Sequence, residues 1–388
     1  MANYTSVLML TCQYMPDVYG GAEKQCHRLS RYLAESDIDV TIITSRQKLA
    51  FSASEREESV NVKRIYTGIA PDLLGRWLMF SAYWLLRVLT YGVLNRHKID
   101  IIHCHQGKFG AFVGCLLGKI INKPVLIKVG NSDVYMDLLC LENKKFVGPL
   151  MTRFIVNCNP NMVAITAIIK SELQNYGFKR VVTIHNGIDT SLAKQEIKSS
   201  VDTKNPTVNL FYHGRLESIK RIDVLIDAFS LVLKKNKQCK LNIIGDGSCL
   251  KHAESQAIDN GIADSIVFHG AVADIPGLIK DYDVFVNASS AEGFSNSLLE
   301  ALLLGKVLVS TPVSGANDAI YVGKNGFISN DFSAQALARA MDEGIGMYQQ
   351  DHSNVNDFSR NHVDTYFQMN VISKKYKELY VDILKVVA

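Results

Sequence analysis

Short apolar runs alternate with amphipathic stretches along the whole chain. The first run, residues 7–10, ends in a loop containing Pro and Gly, and apolar residues then recur at helical spacing up to Ser36, ahead of a second run at residues 40–44. Such runs, bounded by turn signals, are typical of buried parallel strands. The pattern predicts a strand-loop-helix-strand unit, which further strands at residues 99–103 and 125–129 extend into a doubly wound α/β sheet.

A polar stretch over residues 191–206 separates this pattern from a second copy of it. Apolar runs return, each followed by turn residues and a helical pattern, at residues 209–212, 241–244, 266–269, 284–287 and 307–310. A chain of 388 residues exceeds the usual size of one hydrophobic core, so two domains are expected. The predicted parts are a Rossmann-like domain at 1–190, a linker at 191–206, a Rossmann-like domain at 207–365 and a C-terminal helix at 366–388 that packs back on the first domain. A ligand would bind in a central cleft between the carboxyl ends of the two sheets.

Composition and charge narrow the class of protein. Hydrophobic residues make up 47% and charged residues 21% of the chain, which excludes a disordered or collagen-like protein. The net charge of +4 is too small to indicate nucleic acid, but residues 1–190 carry +7 and the remainder −3. This asymmetry predicts that the first domain meets an anionic surface or ligand.

Cysteine spacing and the N-terminus bear on location. The eight cysteines form no C-x-x-C pair, so they are interpreted as small hydrophobic residues in a reducing compartment. The N-terminus has no basic segment, and its first apolar run is too short for a signal peptide. A cytoplasmic protein is expected.

Residues 77–94 form a largely apolar segment at the lower length limit for a membrane span. Arg87 lies in its middle, where a charged side chain is costly in a bilayer. Three interpretations remain open: a helical pair at the edge of the first domain, a surface that also touches lipid through Trp77 and Trp84, and a true span.

The densest chemical signal is the pair Glu292 and Glu300, separated by seven residues. A predicted strand and a small-residue loop come before it, and Ser295 is suited to cap a helix that begins near Asn296. The unpaired amides at such a helix start bind a diphosphate. The two glutamates would then accept hydrogen bonds from different hydroxyl groups of one ligand. The alternative is a surface glutamate and a solvated helix residue.

Two cations follow the first strand of the second domain. Arg215 and Lys220, after Gly214, lie five residues apart at a strand end and can converge on phosphate oxygens. Solvated charges at a helix start are the alternative. In the first domain, His103 and His105 lie two residues apart in an extended segment, so both imidazoles can point to one side.

Two D-x-D strings resemble a divalent-cation motif. Asp37 and Asp39, like Asp281 and Asp283, lie just before predicted strands, which is the wrong end of a parallel sheet for ligand binding. They are interpreted as turn residues, and no metal site is predicted.

Several ordered motifs resemble one enzyme family. They are His213-Gly214-Arg215 with Lys220, Gly245-Asp246-Gly247, the Glu292 to Glu300 element and the run from Ala301 to Thr311, with Asn186-Gly187-Ile188-Asp189 and Gly20-Gly21-Ala22-Glu23 in the first half. Together they resemble glycosyltransferase family 4 (glycosyl transferases group 1), the retaining enzymes of GT-B fold, in a form similar to bacterial enzymes of surface polysaccharide synthesis.

The resemblance implies a role for each matching residue. Arg215 and Lys220 would neutralise the diphosphate of a nucleotide sugar, Glu292 would hold hydroxyls of the donor sugar, and Glu300 would hold the ribose hydroxyls. Backbone amides of five further positions would complete the phosphate site from both domains. These lie near Ser295, Asn296 and Ser297 and at Gly20-Gly21. His105 would lie by the donor sugar and the acceptor.

The resemblance also implies the reaction. A hexose or N-acetylhexosamine would pass from a nucleotide sugar, by preference a UDP-sugar, to a glycan or polyprenyl-diphosphate-linked glycan of lipopolysaccharide or capsule, at the inner face of the cytoplasmic membrane and without cofactor or metal. Rival functions are a nucleotide-sugar epimerase, a glycan phosphorylase and a catalytically inactive sugar-nucleotide binder. An NAD enzyme is disfavoured because no G-x-G-x-x-G follows either first strand.

Overall fold

The computed structural model describes residues 5–16, 20–71, 78–132, 136–144, 147–193, 207–236 and 238–387. It divides into two compact units: unit 1 is Met1–Gly187 with Met369–Ala388, and unit 2 is Ile188–Gln368. Of the predicted linker, residues 191–193 belong to a 3-10 turn, Thr190–Ala193, and residues 194–206 lie outside the described residues.

The strands form one sheet in each unit. They are numbered along the described residues as β1 (Thr5–Leu10), β2 (Ile38–Arg46), β3 (Ser54–Glu57), β4 (Val60–Tyr66), β5 (Ile101–His105), β6 (Val125–Val129), β7 (Asn161–Ala164), β8 (Val181–Thr183), β9 (Val208–His213), β10 (Cys239–Ile244), β11 (Ile266–Gly270), β12 (Val284–Asn287), β13 (Val307–Ser310) and β14 (Gly326–Ile328). Unit 1 has the order β3-β4-β2-β1-β5-β6-β7-β8, and unit 2 has the order β11-β10-β9-β12-β13-β14. All neighbouring strands are parallel except β3 and β4.

Helices cover both sheets. They are α1 (Gly21–Ala34), α2 (Leu78–Leu94), α3 (Phe109–Ile121), α4 (Asp137–Glu142), α5 (Gly148–Cys158), α6 (Ala167–Asn175), α7 (Ile222–Lys235), α8 (Leu250–Asp259), α9 (Ile275–Ile279), α10 (Asn296–Leu303), α11 (Ala316–Ala319), α12 (Ala334–Tyr366) and α13 (Met369–Val387). The predicted doubly wound α/β class is confirmed, because parallel strands joined through helices make up most of both sheets.

In unit 1, the apolar stripe of α1 packs on the sheet through Cys26, Leu29 and Leu33. The C-terminal helix α13 belongs to the same core, where Tyr376 and Tyr380 are fully buried. The cysteines are all free thiols in this structure.

In unit 2, α7 and α12 cover one face of the sheet. Leu225 and Phe229 of α7 and Leu337 and Met341 of α12 are fully buried in one apolar core. Strand β9 lies between β10 and β12: the chain passes from β9 through α7 to β10 on one side, and returns from β11 through α9 to β12 on the other. In open α/β sheets the carboxyl ends of strands at such a switch point form the ligand site.

The segment around residue 84 corrects one expectation. Trp84 is fully buried and packs against Phe109, with ring centroids 6.0 Å apart, so it is not an exposed membrane-facing aromatic. The described part of residues 77–94 is the single helix α2, and Trp77 lies outside the described residues. Among the described residues, no helix has both the length and the apolar character that crossing a membrane requires.

Candidate active site

The exit from β9 places Arg215 in solvent. Gly214 has a φ of +153°, and a Cβ at this position would lie 2.8 Å from the Tyr212 hydroxyl oxygen. The tight turn therefore requires glycine. The Tyr212 hydroxyl donates to the Arg215 carbonyl over 3.1 Å, which fixes the turn while the Arg215 side chain stays exposed.

Lys220 ends a 3-10 turn and reaches the loop that follows β12. Its Nζ lies 2.7 Å from Oε1 of Glu292, and the two side chains are 18% and 15% exposed. The Ser289 hydroxyl lies 3.1 Å from the other carboxylate oxygen of Glu292. Two residues that the sequence placed 72 positions apart thus form one charge-assisted hydrogen bond.

The state of Glu292 follows from its surroundings. Burial acts to raise the pKa of the Glu292 carboxyl, but Lys220 and hydrogen bonds from Ser289 and Ser295 outweigh it, so the pKa lies below its ordinary value. Glu292 is therefore ionised at neutral pH, and it can accept hydrogen bonds from hydroxyl groups.

Backbone contacts hold these two loops together. The Ser290 N–H donates to the Ile219 carbonyl over 2.9 Å, and the Ser289 hydroxyl lies 2.7 Å from Oδ1 of Asn287. The loop after β12 is thus anchored to the 3-10 turn that carries Lys220. A site fixed in this way needs little reorganisation on binding.

Helix α10 begins beside this loop. Ser295 caps it, because its hydroxyl accepts the Leu298 N–H over 3.3 Å. Asn296 and Ser297 lie in the first helical turn, where amides have no intrahelical acceptor. Glu300, farther along α10, lies 3.5 Å from Nε2 of His213 through Oε2.

Unit 1 carries the other predicted residues. Gly20 precedes α1 without a side-chain cap, and Gly21 is its first residue. The Glu23 carboxylate occupies the space that a Cβ on Gly20 would take, so a side chain at position 20 would have to displace the end of Glu23.

The two histidines of β5 have different surroundings. His103 is fully buried, and its Nδ1 lies 2.7 Å from the Tyr380 hydroxyl. His105, the last residue of β5, is 5% exposed and stacks on His103 with centroids 4.3 Å apart. Burial lowers the pKa of both imidazoles, that of His103 to about 3, so both are neutral. His103 is a core residue, whereas His105 lies at the carboxyl end of β5.

Sequence reasoning missed three polar residues near these sites. The sequence indicates His213 only as the first residue of a motif, whereas in the structure its side chain contacts Glu300. The buried carboxylate of Asp137 accepts the Gly107 N–H over 3.1 Å and so ties α4 to the loop after β5. Lys128 interrupts the otherwise apolar strand β6, and that interruption was the signal that could have found it.

The D-x-D strings lie at the amino ends of β2 and β12, whereas the other predicted site residues lie at or beyond carboxyl ends of strands. Asp37 has a φ of +63° in the turn before β2. Asp283 precedes β12 and accepts the Asn209 N–H over 2.8 Å. Asp37, Asp281 and Asp283 lie outside the strands, in agreement with their interpretation as turn residues. Asp39 is the second residue of β2, so its interpretation as a turn residue is wrong, although it still lies at the amino end of that strand.

Two family models match the chain in succession. Residues 19–192 match the Glycosyltransferase Family 4 model, and residues 207–345 match the Glycosyl transferases group 1 model. The chain belongs to glycosyltransferase family 4. The predicted family and enzyme class are therefore confirmed, and the epimerase, phosphorylase and inactive-binder alternatives are not supported by these matches.

Relatives of this glycosyltransferase include enzymes of several pathways. It is 25% identical to the capsular polysaccharide biosynthesis glycosyltransferase CapM of Staphylococcus aureus, over 76% of this chain and 79% of CapM. It is 22% identical to N-acetyl-alpha-D-glucosaminyl L-malate synthase of Bacillus anthracis, over 76% and 77% of the two chains.

Several solved structures share its fold. Anabaena HepE, solved with UDP, superposes with a TM-score of 0.76 at 19% identity, covering 97% of this chain and all (100%) of HepE. Sucrose-phosphate synthase from Thermosynechococcus elongatus gives 0.79 at 15% identity, covering 98% and 100%. The predicted GT-B fold is confirmed.

Proposed function

We propose that this glycosyltransferase moves a hexose or N-acetylhexosamine from a UDP-sugar to a glycan or lipid-linked glycan in surface polysaccharide biosynthesis. The observation that carries the donor half is the Lys220–Glu292 pair beside exposed Arg215 and the start of α10. HepE, of the same fold, was solved with UDP and with UDP-glucose, and the relative CapM is named for capsular polysaccharide.

On the donor side, each residue has a proposed task. Arg215 and Lys220 bind the diphosphate, and the amides at Asn296 and Ser297 bind it from the helix start. Ionised Glu292 accepts hydroxyls of the donor sugar, and Glu300 accepts those of the ribose. When the donor binds, Lys220 turns part of its hydrogen bonding from Glu292 to phosphate.

The proposed reaction retains the anomeric configuration. The bond between C1 of the sugar and the β-phosphate oxygen breaks, and the acceptor oxygen forms its bond to C1 on the same face. The acceptor's proton goes to the departing phosphate oxygen. Arg215, Lys220 and the helix amides stabilise the charge that grows on that phosphate. Neutral His105 would donate to or accept from a sugar hydroxyl, and Gly20 and Gly21 let backbone approach the phosphates.

No metal or cofactor is assigned a role in this proposal. Two cationic side chains and the α10 amides face the charge that a metal would otherwise neutralise. Both D-x-D strings lie away from the carboxyl strand ends.

Substitution of the two cations tests the donor site. Arg215→Ala and Lys220→Ala should each lower turnover by roughly 10²–10³-fold, because each removes a charge that stabilises the leaving phosphate. Lys234→Ala, at an exposed lysine of α7, is the matched control and should leave turnover unchanged. Turnover is measured with a panel of UDP-, GDP- and ADP-sugars. Rates of the first two variants within threefold of wild type would refute the assignment.

We further propose that α2 docks on an anionic membrane surface. Met79, Tyr83, Leu86 and Leu94 lie on one face of the helix and are 76%, 41%, 60% and 77% exposed. Exposed cations adjoin this face, namely Arg87, Arg96 and Lys98, with Arg76 outside the described residues. Apolar side chains next to cations are the pattern of helices that bind anionic lipid interfaces.

Vesicle co-sedimentation tests this docking. The wild type should sediment with vesicles that contain phosphatidylglycerol at low salt and less at high salt. The double variant Met79→Ser/Leu86→Ser should stay in the supernatant, whereas Ile258→Ser, at an equally exposed apolar residue of unit 2, should sediment like the wild type. Equal sedimentation of all three proteins, or of none, would contradict the proposal.

A further inference from the structure

Lys128 is a buried cation for which the described residues provide no acidic partner. It lies in β6, whose five residues are all buried, and it is only 7% exposed. Within the described part of the chain, no Asp or Glu forms an ion pair with it. Buried ammonium groups are rare unless they are paired, because desolvation penalises the charge.

Core packing does not explain this residue. Its neighbours along β6 are apolar, and an unbranched apolar side chain would fill the same space without the desolvation cost. Strongly unfavourable buried charges are concentrated at functional sites. Lys128 therefore calls for a ligand that supplies the missing negative charge.

His105 is next to Lys128 across the β5–β6 pair. The strand register pairs the two residues at the carboxyl end of the sheet. Nε2 of His105 is buried and has no hydrogen-bond partner among the described residues, and the same holds for the Tyr376 hydroxyl, whose ring stacks on His103. Buried polar atoms are normally satisfied, so the unsatisfied Nε2 of His105, on the residue paired with Lys128, indicates a missing partner.

The adjoining loops are held in place. Asp137 accepts the Gly107 N–H after β5, and its other oxygen accepts the Asn131 side-chain amide over 3.1 Å after β6. The two donors thus stand on anchored strands at the sheet edge where α/β proteins bind ligands.

We propose that Lys128 and His105 bind an oxyanion, a carboxylate or a phosphate, and that this group belongs to the acceptor substrate. The ammonium and a neutral imidazole N–H would donate to two oxygens of the group. The assignment of this group to the acceptor rests on the proposed function, whereas oxyanion binding itself does not.

Thermal unfolding measures the binding. Wild-type enzyme is first saturated with UDP to occupy the donor site, and sodium phosphate, malonate or chloride is then added at matched ionic strength. Phosphate and malonate should raise the melting temperature and chloride should not. In Lys128→Met, at least ten times more phosphate or malonate should be needed for the same rise in melting temperature. Lys179→Met, at an exposed lysine of the same unit, should respond to these anions like the wild type. Failure of UDP itself to raise the melting temperature would count against the donor proposal alone.

The preference between charged and neutral acceptors tests whether the bound oxyanion belongs to the acceptor. With paired p-nitrophenyl glucuronide and glucoside acceptors, the wild type should prefer the charged one by about tenfold, as expected for a charge-assisted hydrogen bond. Lys128→Met should abolish this preference while UDP binding is unchanged. No oxyanion-dependent shift in the wild type, or a full shift in Lys128→Met, overturns the site, and a preference that survives in Lys128→Met overturns its assignment to the acceptor.

Discussion

Replacing Lys128 with Met should make the unliganded protein more stable, which is unusual for a core substitution. Met has similar length and no charge, so the apolar packing around β6 is kept while the buried ammonium is removed. Among the described residues, the groups that interact with Lys128 are His103 and His105 of β5 and Cys26 of α1, and Tyr376 and Tyr380 of α13 pack on His103. None of these five is an anion at neutral pH.

The magnitude follows from the shift in pKa. Burial lowers the pKa of Lys128 from 10.5 to about 8. A difference of roughly 2.5 units between unfolded and folded states corresponds to about 3 kcal/mol. Below pH 8 both states bind the proton and the full cost is present. Between pH 8 and 10.5 the unfolded state binds more protons, so the stability of the wild type rises with pH toward that of the variant.

Calorimetric melting of both proteins from pH 6 to 11 measures this difference. At pH 7, Lys128→Met should melt roughly 6–12 °C higher in the transition of unit 1, from about 2–4 °C per kcal/mol for a unit of this size. The gap should close above pH 10.5. Titrating groups that do not interact with Lys128 are common to both proteins and cancel. Cys26, His103 and His105 do interact with it, but burial keeps the thiol protonated and the imidazoles neutral. A variant that melts below the wild type at pH 7, or a gap that does not change with pH, would refute the argument.

Three further predictions follow from the site and the core. Glu292→Ala removes the partner of Lys220 and should destabilise unit 2 by about 2–3 kcal/mol, measured by urea denaturation. This loss is smaller than the roughly 3–5 kcal/mol expected for a fully buried pair, because both side chains are partly exposed. An unchanged urea midpoint would show that the pair does not stabilise the fold. Trp84→Ala should cost about 3–5 kcal/mol, because this side chain is fully buried, whereas a surface residue would cost little. Turnover should persist in excess EDTA; its loss and restoration by Mg²⁺ or Mn²⁺ would overturn the metal-free proposal.

Most strands could be predicted because they are continuous apolar runs. The β3–β4 hairpin was missed, since its first strand, Ser54–Glu57, is polar and at the sheet edge with one side in solvent. The strand predicted at residues 99–103 instead spans Ile101–His105, because pairing with β6 through His105 extends it. A run of letters does not reveal where the neighbouring strand ends.

The donor-site residues could be named from motifs, but their contacts could not. Arg215, Lys220, Glu292 and Glu300 each stand in a recognisable local pattern, which the sequence alone contains. That Lys220 contacts Glu292 depends on β9 and β12 being neighbours in the sheet, although β10 and β11 come between them in sequence.

The apolar periodicity and the local motifs determined the fold class, the family and the candidate donor residues, because those signals are read over a few consecutive residues. Only the tertiary structure decided which of the two histidines of β5 is a core residue. Alternation places His103 and His105 on the same side, yet α13, formed by the last residues of the described chain, covers His103 through Tyr380. The tertiary structure also buries Lys128 with no counter-charge from the residues that the structure describes, since the desolvation of a side chain depends on every element folded over it.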